Sequence, residues 1–119
     1  MKKLILVIAF LLIATSCLAA DFVNPIGFQA TEQNKAAVVN YIKQSVKQDC
    51  YRVGMTSEST LRMMEKQDLD AFQKLLSAKA PNTLTRIINQ YCATGMCNYS
   101  TIRMMYDHEM RAKGQSLAW

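Results

Sequence analysis

The sequence predicts an all-α protein: a four-helix, bundle-like domain of two tandem helix-turn-helix hairpins behind a cleavable export signal. Three observations carry that prediction. Residues 54–64, Gly-Met-Thr-Ser-Glu-Ser-Thr-Leu-Arg-Met-Met, return as residues 95–105, Gly-Met-Cys-Asn-Tyr-Ser-Thr-Ile-Arg-Met-Met, 41 positions later. A period of that length marks one supersecondary unit used twice. Apolar residues recur at helical spacing in four segments, and sustained period-two alternation is missing. Finally, Gly54, Pro81, Gly95 and Gly114 punctuate the chain where those segments end or begin.

The chain opens with Met1-Lys2-Lys3, an apolar run from Leu4 to Ile13, and Ala14-Thr15-Ser16-Cys17-Leu18-Ala19-Ala20-Asp21. A charged start, a short apolar run and a small-residue zone form a secretory signal, assigned to residues 1–20. The run is too short to cross a hydrocarbon core, which takes roughly 20 apolar residues. Cleavage after Ala19 or Ala20 would release a soluble protein. Ala14-Thr15-Ser16-Cys17 also resembles a bacterial lipobox, with Ala14 where a leucine is usual. Cys17 is therefore a lipidation candidate, and a lipidated chain would sit on a membrane face through its acyl chains.

What remains is about 99 residues, enough for one small domain. Leaving out Lys2 and Lys3, twelve basic side chains face nine acidic ones, a net of +3. That balance favours anionic partners but is no nucleic-acid stripe. Residues 21–30 hold Phe22, Val23, Pro25, Ile26, Gly27 and Phe28. Pro and Gly oppose a helix there, so the reading is an extended arm packed on the domain or on a partner.

Residues 31–119 form the helical domain, with repeat units at about 31–78 and 82–117. The first helix runs from Thr31, an N-cap, to Val53, with a stripe of Val39, Ile42, Val46, Cys50 and Val53. The second starts near Ser57 and reaches Ala78 through Leu61, Met64, Leu69, Phe72, Leu75 and Leu76. Asp68 is an alternative cap for a break within it. The third spans Thr83 to Ala93, with Leu84, Ile87, Ile88 and Tyr91 on one face. The fourth spans Ser100 to Lys113, with Ile102, Met105, Tyr106 and Met110.

Residues 54–76 align with 95–117 without gaps, and Gly54, Met55, Ser59, Thr60, Arg62, Met63, Met64, Ala71 and Leu76 each recur. Glycine permits a left-handed helix stop, and the methionine after it supplies the apolar contact that accompanies such a stop. Ser59 and Ser100 stand where a hydroxyl caps a helix start. Met64 and Met105 lie on the core stripe, whereas Met63 and Met104 point to the far side. The simplest expectation packs that second face on the other hairpin; the alternative is an adaptable methionine surface for a partner. Arg62 and Arg103, beside Asp68 and Glu109, either form ion pairs between the units or stay solvated. Met63, Met104, Arg62 and Arg103 are the candidate partner surface.

Cys50, Cys92 and Cys97 follow the signal, and an exported chain permits disulfides. If both Gly-Met turns lie at one end of a bundle, the three thiols are neighbours. A bridge from Cys50 to Cys92 or Cys97 closes a long loop and contributes ~3–4 kcal/mol in the chain-entropy model. A Cys92–Cys97 link closes a shorter loop and contributes less. The long link is the expectation on that argument, with one cysteine left over.

Three cysteines without a neighbouring histidine, spaced Cys-x4-Cys, make a poor zinc site, so no metal is expected. The sole histidine, His108, reads as a surface residue. Gly-x-Ser-x-Gly, HExxH and a phosphate-cradling glycine loop are all missing, so neither catalysis nor a cofactor is expected. The reading is a small exported binding protein of the periplasm or exterior, acting on a protein of the cell envelope as an inhibitor, immunity-type protector or adaptor. The alternatives are a structural envelope lipoprotein anchored through Cys17 and a secreted effector. Nucleic acid is not an expected partner, and a membrane is one only through Cys17.

Overall fold

A computed structural model of the chain describes residues 20–115; residues 1–19 of the expected export signal, Cys17 among them, lie outside these. Four helices follow one another: α1 (Glu32–Arg52), α2 (Glu58–Leu75), α3 (Pro81–Ala93) and α4 (Tyr99–Lys113). No strand occurs among the described residues. None of the described helices is long and apolar enough to cross a membrane.

The helix starts are set locally. Thr31 caps α1, its hydroxyl accepting the Asn34 N–H at 3.1 Å. Asn98 caps α4, its side-chain oxygen accepting the Thr101 N–H at 2.8 Å. Ser59 and Ser100, expected as caps, lie inside the first turns instead. Pro81 opens α3 at the position where its missing N–H costs nothing.

Both Gly-Met turns close in one way. Gly54 and Gly95 adopt φ of 79° and 81°, and behind them the Met55 N–H donates to the Cys50 carbonyl at 2.8 Å and the Met96 N–H to Tyr91 at 3.0 Å. That pairing satisfies carbonyls the ending helix leaves open. The methionines do not cover the stops as expected, for both are exposed.

The core runs through Val38, Ile42, Val46 and Cys50 of α1, Leu61, Ala71, Phe72 and Leu75 of α2, Leu84, Ile87 and Ile88 of α3, and Tyr99, Ile102 and Tyr106 of α4. The α1 stripe therefore advances strictly by four, one ridge of the helix surface. Val39 and Val53 of the expected stripe are exposed, as is Leu76 after α2. Of two adjacent valines, periodicity alone chose the wrong one, because the phase of α1 is set by the helix it packs on.

Backbones approach within 8 Å between α1 and α2, α2 and α4, and α3 and α4. Each hairpin thus meets the other through its second helix. Asp68 of α2 faces Ser100 of α4, 32 positions on, rather than Ser59's counterpart being matched level with Ser59. Compared with a 41-residue register, α4 is displaced along α2 by nine residues, about 13 Å at the rise of an α-helix.

The disulfide differs from the expectation. The bridge joins Cys92 and Cys97, with Cα atoms 4.1 Å apart, and Cys50 is a buried free thiol. No backbone of α1 comes within 8 Å of α3, so Cys50 and Cys92 lie beyond the roughly 7 Å between Cα atoms that a disulfide allows, and Cys97 is bonded to Cys92.

The segment before α1 lies on the domain. Pro25 is buried, and Phe22, Val23, Ile26 and Phe28 pack against the core. The Tyr99 hydroxyl ties this arm down, donating to the Val23 carbonyl at 2.7 Å and accepting the Val23 N–H at 3.1 Å.

Candidate functional site

The displaced α4 leaves a groove along its contact with α2. Helical spacing aligns one edge of each helix with it: Gln67, Asp70, Ala71 and Lys74 from α2, and Ser100, Arg103, Met104, Asp107 and Arg111 from α4. Two hollows of about 350 and 530 Å³ make up the groove, and they share Arg103, Asp107 and Arg111. The larger one continues past α2 to Ala78 and Lys79. Ala71, buried at the helix contact, keeps the floor low because it has no side chain beyond Cβ.

Three hydrogen bonds fix this floor. Asp68 caps α4 from the neighbouring helix, Oδ1 accepting the Ser100 N–H at 2.8 Å and the Ser100 hydroxyl at 2.9 Å. The Tyr106 hydroxyl accepts the Ala80 N–H at 3.0 Å, holding the α2–α3 connection over α4. Asp68 is 2% exposed, and its Oδ2 has no hydrogen-bond partner among the described residues. Burial drives its pKa above the ordinary aspartate range, against the lowering effect of the Ser100 hydrogen bonds. Tyr99 and Tyr41 nearby are likewise pushed up, chiefly by burial.

The rim of the groove is cationic. Lys74, Lys79, Arg103 and Arg111 stand against Asp70 and Asp107. Lys74 reaches Asp70 at 3.1 Å, and Arg103 spans Asp70 at 3.7 Å and Asp107 at 3.5 Å. Such open pairs contribute ~0.2–1 kcal/mol each. Lys79 and Arg111 have no carboxylate within 4.0 Å among the described residues. The floor is apolar, from Leu75, Ala78, Tyr106 and Met110. The arrangement suits binding an anionic group beside an apolar one.

Of the residues read from the sequence as a partner surface, Arg103 and Met104 line this groove. Arg62 does not meet Asp68. It is held on α2 by Glu58 at 3.0 Å and by Glu65 at 2.5 Å. Glu109 pairs with Arg86 of α3 at 2.7 Å. The symmetric ion pairs between units therefore do not form, because burial takes Asp68 away from Arg62. Met63 and Met104 are 53% and 52% exposed, so neither is buried against the other hairpin. Among the described residues, no cluster of three or more His, Cys, Asp or Glu side chains is placed to hold a metal ion.

Asp68 and the groove it shapes were missed from sequence, although one signal was present. Leu61, Asp68 and Leu75 repeat every seven residues, so Asp68 stands in the core stripe of its helix. A second, smaller hollow of about 250 Å³ lies between Phe28, Val38, Val39, Leu69, Phe72 and Leu76. Comparison with family models, curated proteins and solved structures gave no match.

Proposed function

We propose that this chain is a small exported helical binding protein that works by contact with another protein, as an inhibitor, immunity-type protector or envelope adaptor. The single observation behind this reading is the half-exposed Met104 beside Arg103 on the rim of an apolar-floored groove. Methionine is flexible and polarisable, and it suits surfaces that adapt to a partner. A photo-crosslinking amino acid at position 104 tests this in envelope extract. Transfer to one protein, competed by unlabelled chain, supports it; no competed adduct overturns it.

Two further parts belong to the same proposal. The hairpins are two copies of one unit, supported by the matched glycine φ values and the matched Met55 and Met96 hydrogen bonds. The chain is exported, supported by the layout of residues 1–20. A mature N-terminus at Ala20 or Asp21 in the non-reduced protein is the expected mass-spectrometric result.

The lipoprotein reading has one observation in its favour. The Ala20 N–H donates to Gln44 of α1, on a face that also carries Lys43 and Lys47. A lipid on Cys17 would bring anionic headgroups beside these ammonium groups. The same mass spectrum separates the readings, since a lipid-free N-terminus at residue 20 or 21 removes Cys17.

A further inference from the structure

We infer that the α2–α4 groove is the docking site for an acidic peptide segment, one that presents carboxylates to the rim and an apolar side chain to the floor. The inference rests on the protein-binding reading above and deepens it by naming the chemistry of the partner.

The charge distribution selects an anionic occupant. The groove holds four cations against two acids, a surplus of +2 where the chain beyond its first twenty residues carries +3 in all. The groove is therefore net cationic, and unlike the α1 face of Lys43 and Lys47 it pairs that charge with a floor that includes the buried core residues Leu75 and Tyr106. Lys74 and Arg103 are already engaged with Asp70 and Asp107, which leaves Lys79 and Arg111 to meet an incoming carboxylate. Lys79 of the α2–α3 connection and Arg111 of α4 both line the larger hollow, so a segment lying in it meets cations from two elements. Guanidinium and carboxylate also match in geometry.

The floor selects a side chain. Leu75 and Tyr106 are 3% and 8% exposed, and with Ala78 and Met110 they line a hollow of about 530 Å³. That space admits a leucine-sized or larger apolar group and favours its desolvation. Met104 and Met110 at the margins adjust to its shape. The other apolar hollow, beside Phe28 and Leu76, has one lysine and no acid along its lining, so it does not select for charge in this way.

The test uses ¹⁵N-labelled chain and two synthetic peptides of equal length, each with a central leucine, one flanked by glutamates and the other by lysines. The glutamate peptide is expected to shift the amide signals of Ala71, Ala78, Tyr106 and Met110, and the lysine peptide to leave them in place. Raising the salt concentration weakens the first titration. The double variant Lys79→Glu with Arg111→Glu alters exposed side chains only. It is expected to weaken the glutamate peptide roughly tenfold while preserving the dispersed spectrum of the fold. Equal binding of both peptides, shifts confined to other residues, no shifts at all, or an unaltered affinity in the double variant each overturn the inference. So does capture of the groove by phosphatidylglycerol vesicles with no response to peptide. Crosslinking from position 104 keeps the two levels apart. A partner captured equally by wild type and double variant sinks the groove and leaves protein binding standing. A groove that takes the peptide in a chain that captures no protein sinks the broader reading instead.

Discussion

A carboxylate placed among apolar side chains is unfavourable unless its oxygens are used. In Asp68 one oxygen is used twice, on the Ser100 N–H and hydroxyl, and the other has no partner among the described residues. Asp68→Ala removes the cap and leaves the part-buried Ser100 N–H without its acceptor, so a loss of about 1–3 kcal/mol is expected in chemical denaturation. Asp68→Asn keeps an acceptor oxygen and removes the charge, and it should lose much less. Acidity gives a separate check. Because burial raises the pKa of Asp68 in the folded chain, the native state holds this proton more tightly than the unfolded one. The stability the group contributes is complete below the ordinary aspartate value of 3.8 and is lost as pH rises through the raised folded value. Other carboxylates add their own slopes, so the quantity to follow is wild type minus Asp68→Asn. That difference should move in favour of wild type on acidification toward pH ~4; a flat or opposite trend contradicts the burial argument. The seven-residue spacing of Leu61, Asp68 and Leu75 was legible in the sequence. What Asp68 caps was not, since Ser100 comes near only after α2 and α4 have chosen their register.

At the scale of elements, the four helices and the Gly54 and Gly95 stops were readable, because such signals act within a few residues of themselves, whereas α2 ends at Leu75 rather than Ala78. Thr31, Gly54 and Gly95 do what their chemistry dictates. The phase of α1 was not readable, since Val38 and Val39 offer equal hydrophobicity and only the packing partner separates them. The cysteines show the same division. Chain entropy favoured the long loop, but entropy acts only on thiols that can meet, and α1 and α3 do not approach within 8 Å. The observed link spans a separation of five residues. A loop that short contributes about 2 kcal/mol on the same entropy scale. Replacing Cys92 and Cys97 together by serine is therefore expected to lower stability by about 2 kcal/mol, with helix content retained in circular dichroism. Cys50→Ser acts differently, placing a hydroxyl in a core position that is 3% exposed. Peptide mapping of the non-reduced chain reads the pairing directly, and a Cys50-containing bridge in it would contradict the Cys92–Cys97 link.

Across the whole molecule, the groove was illegible for the reason that the long disulfide was tempting. Both follow from how two similar hairpins are placed, and aligning residues 54–76 on 95–117 invites a level arrangement that the packing rejects. The arm before α1 reveals how the displaced units are sealed. Phe22 stacks at 5.2 Å from Tyr99 and 5.5 Å from Tyr41, while Phe28 meets Phe72 at 5.0 Å and Phe72 meets Tyr99 at 4.8 Å. One aromatic chain thus joins arm, α1, α2 and α4, with Tyr99 as its common member. Such pairs contribute ~0.5–1.5 kcal/mol each beyond burial, a sizeable share of the ~5–15 kcal/mol of a whole domain. Tyr99 adds a second attachment through its hydroxyl, which meets both the N–H and the carbonyl of Val23. Tyr99→Phe separates the two contributions, because the ring contacts survive and only the hydroxyl is lost. With two backbone groups of a part-buried segment left unpaired, stability should fall by about 1–3 kcal/mol. Amide exchange at Val23 should accelerate more than exchange in α2 or α3. An arm held by stacking alone would instead leave Val23 as protected as in the wild type, and its release would then require removal of Phe22 or Phe28.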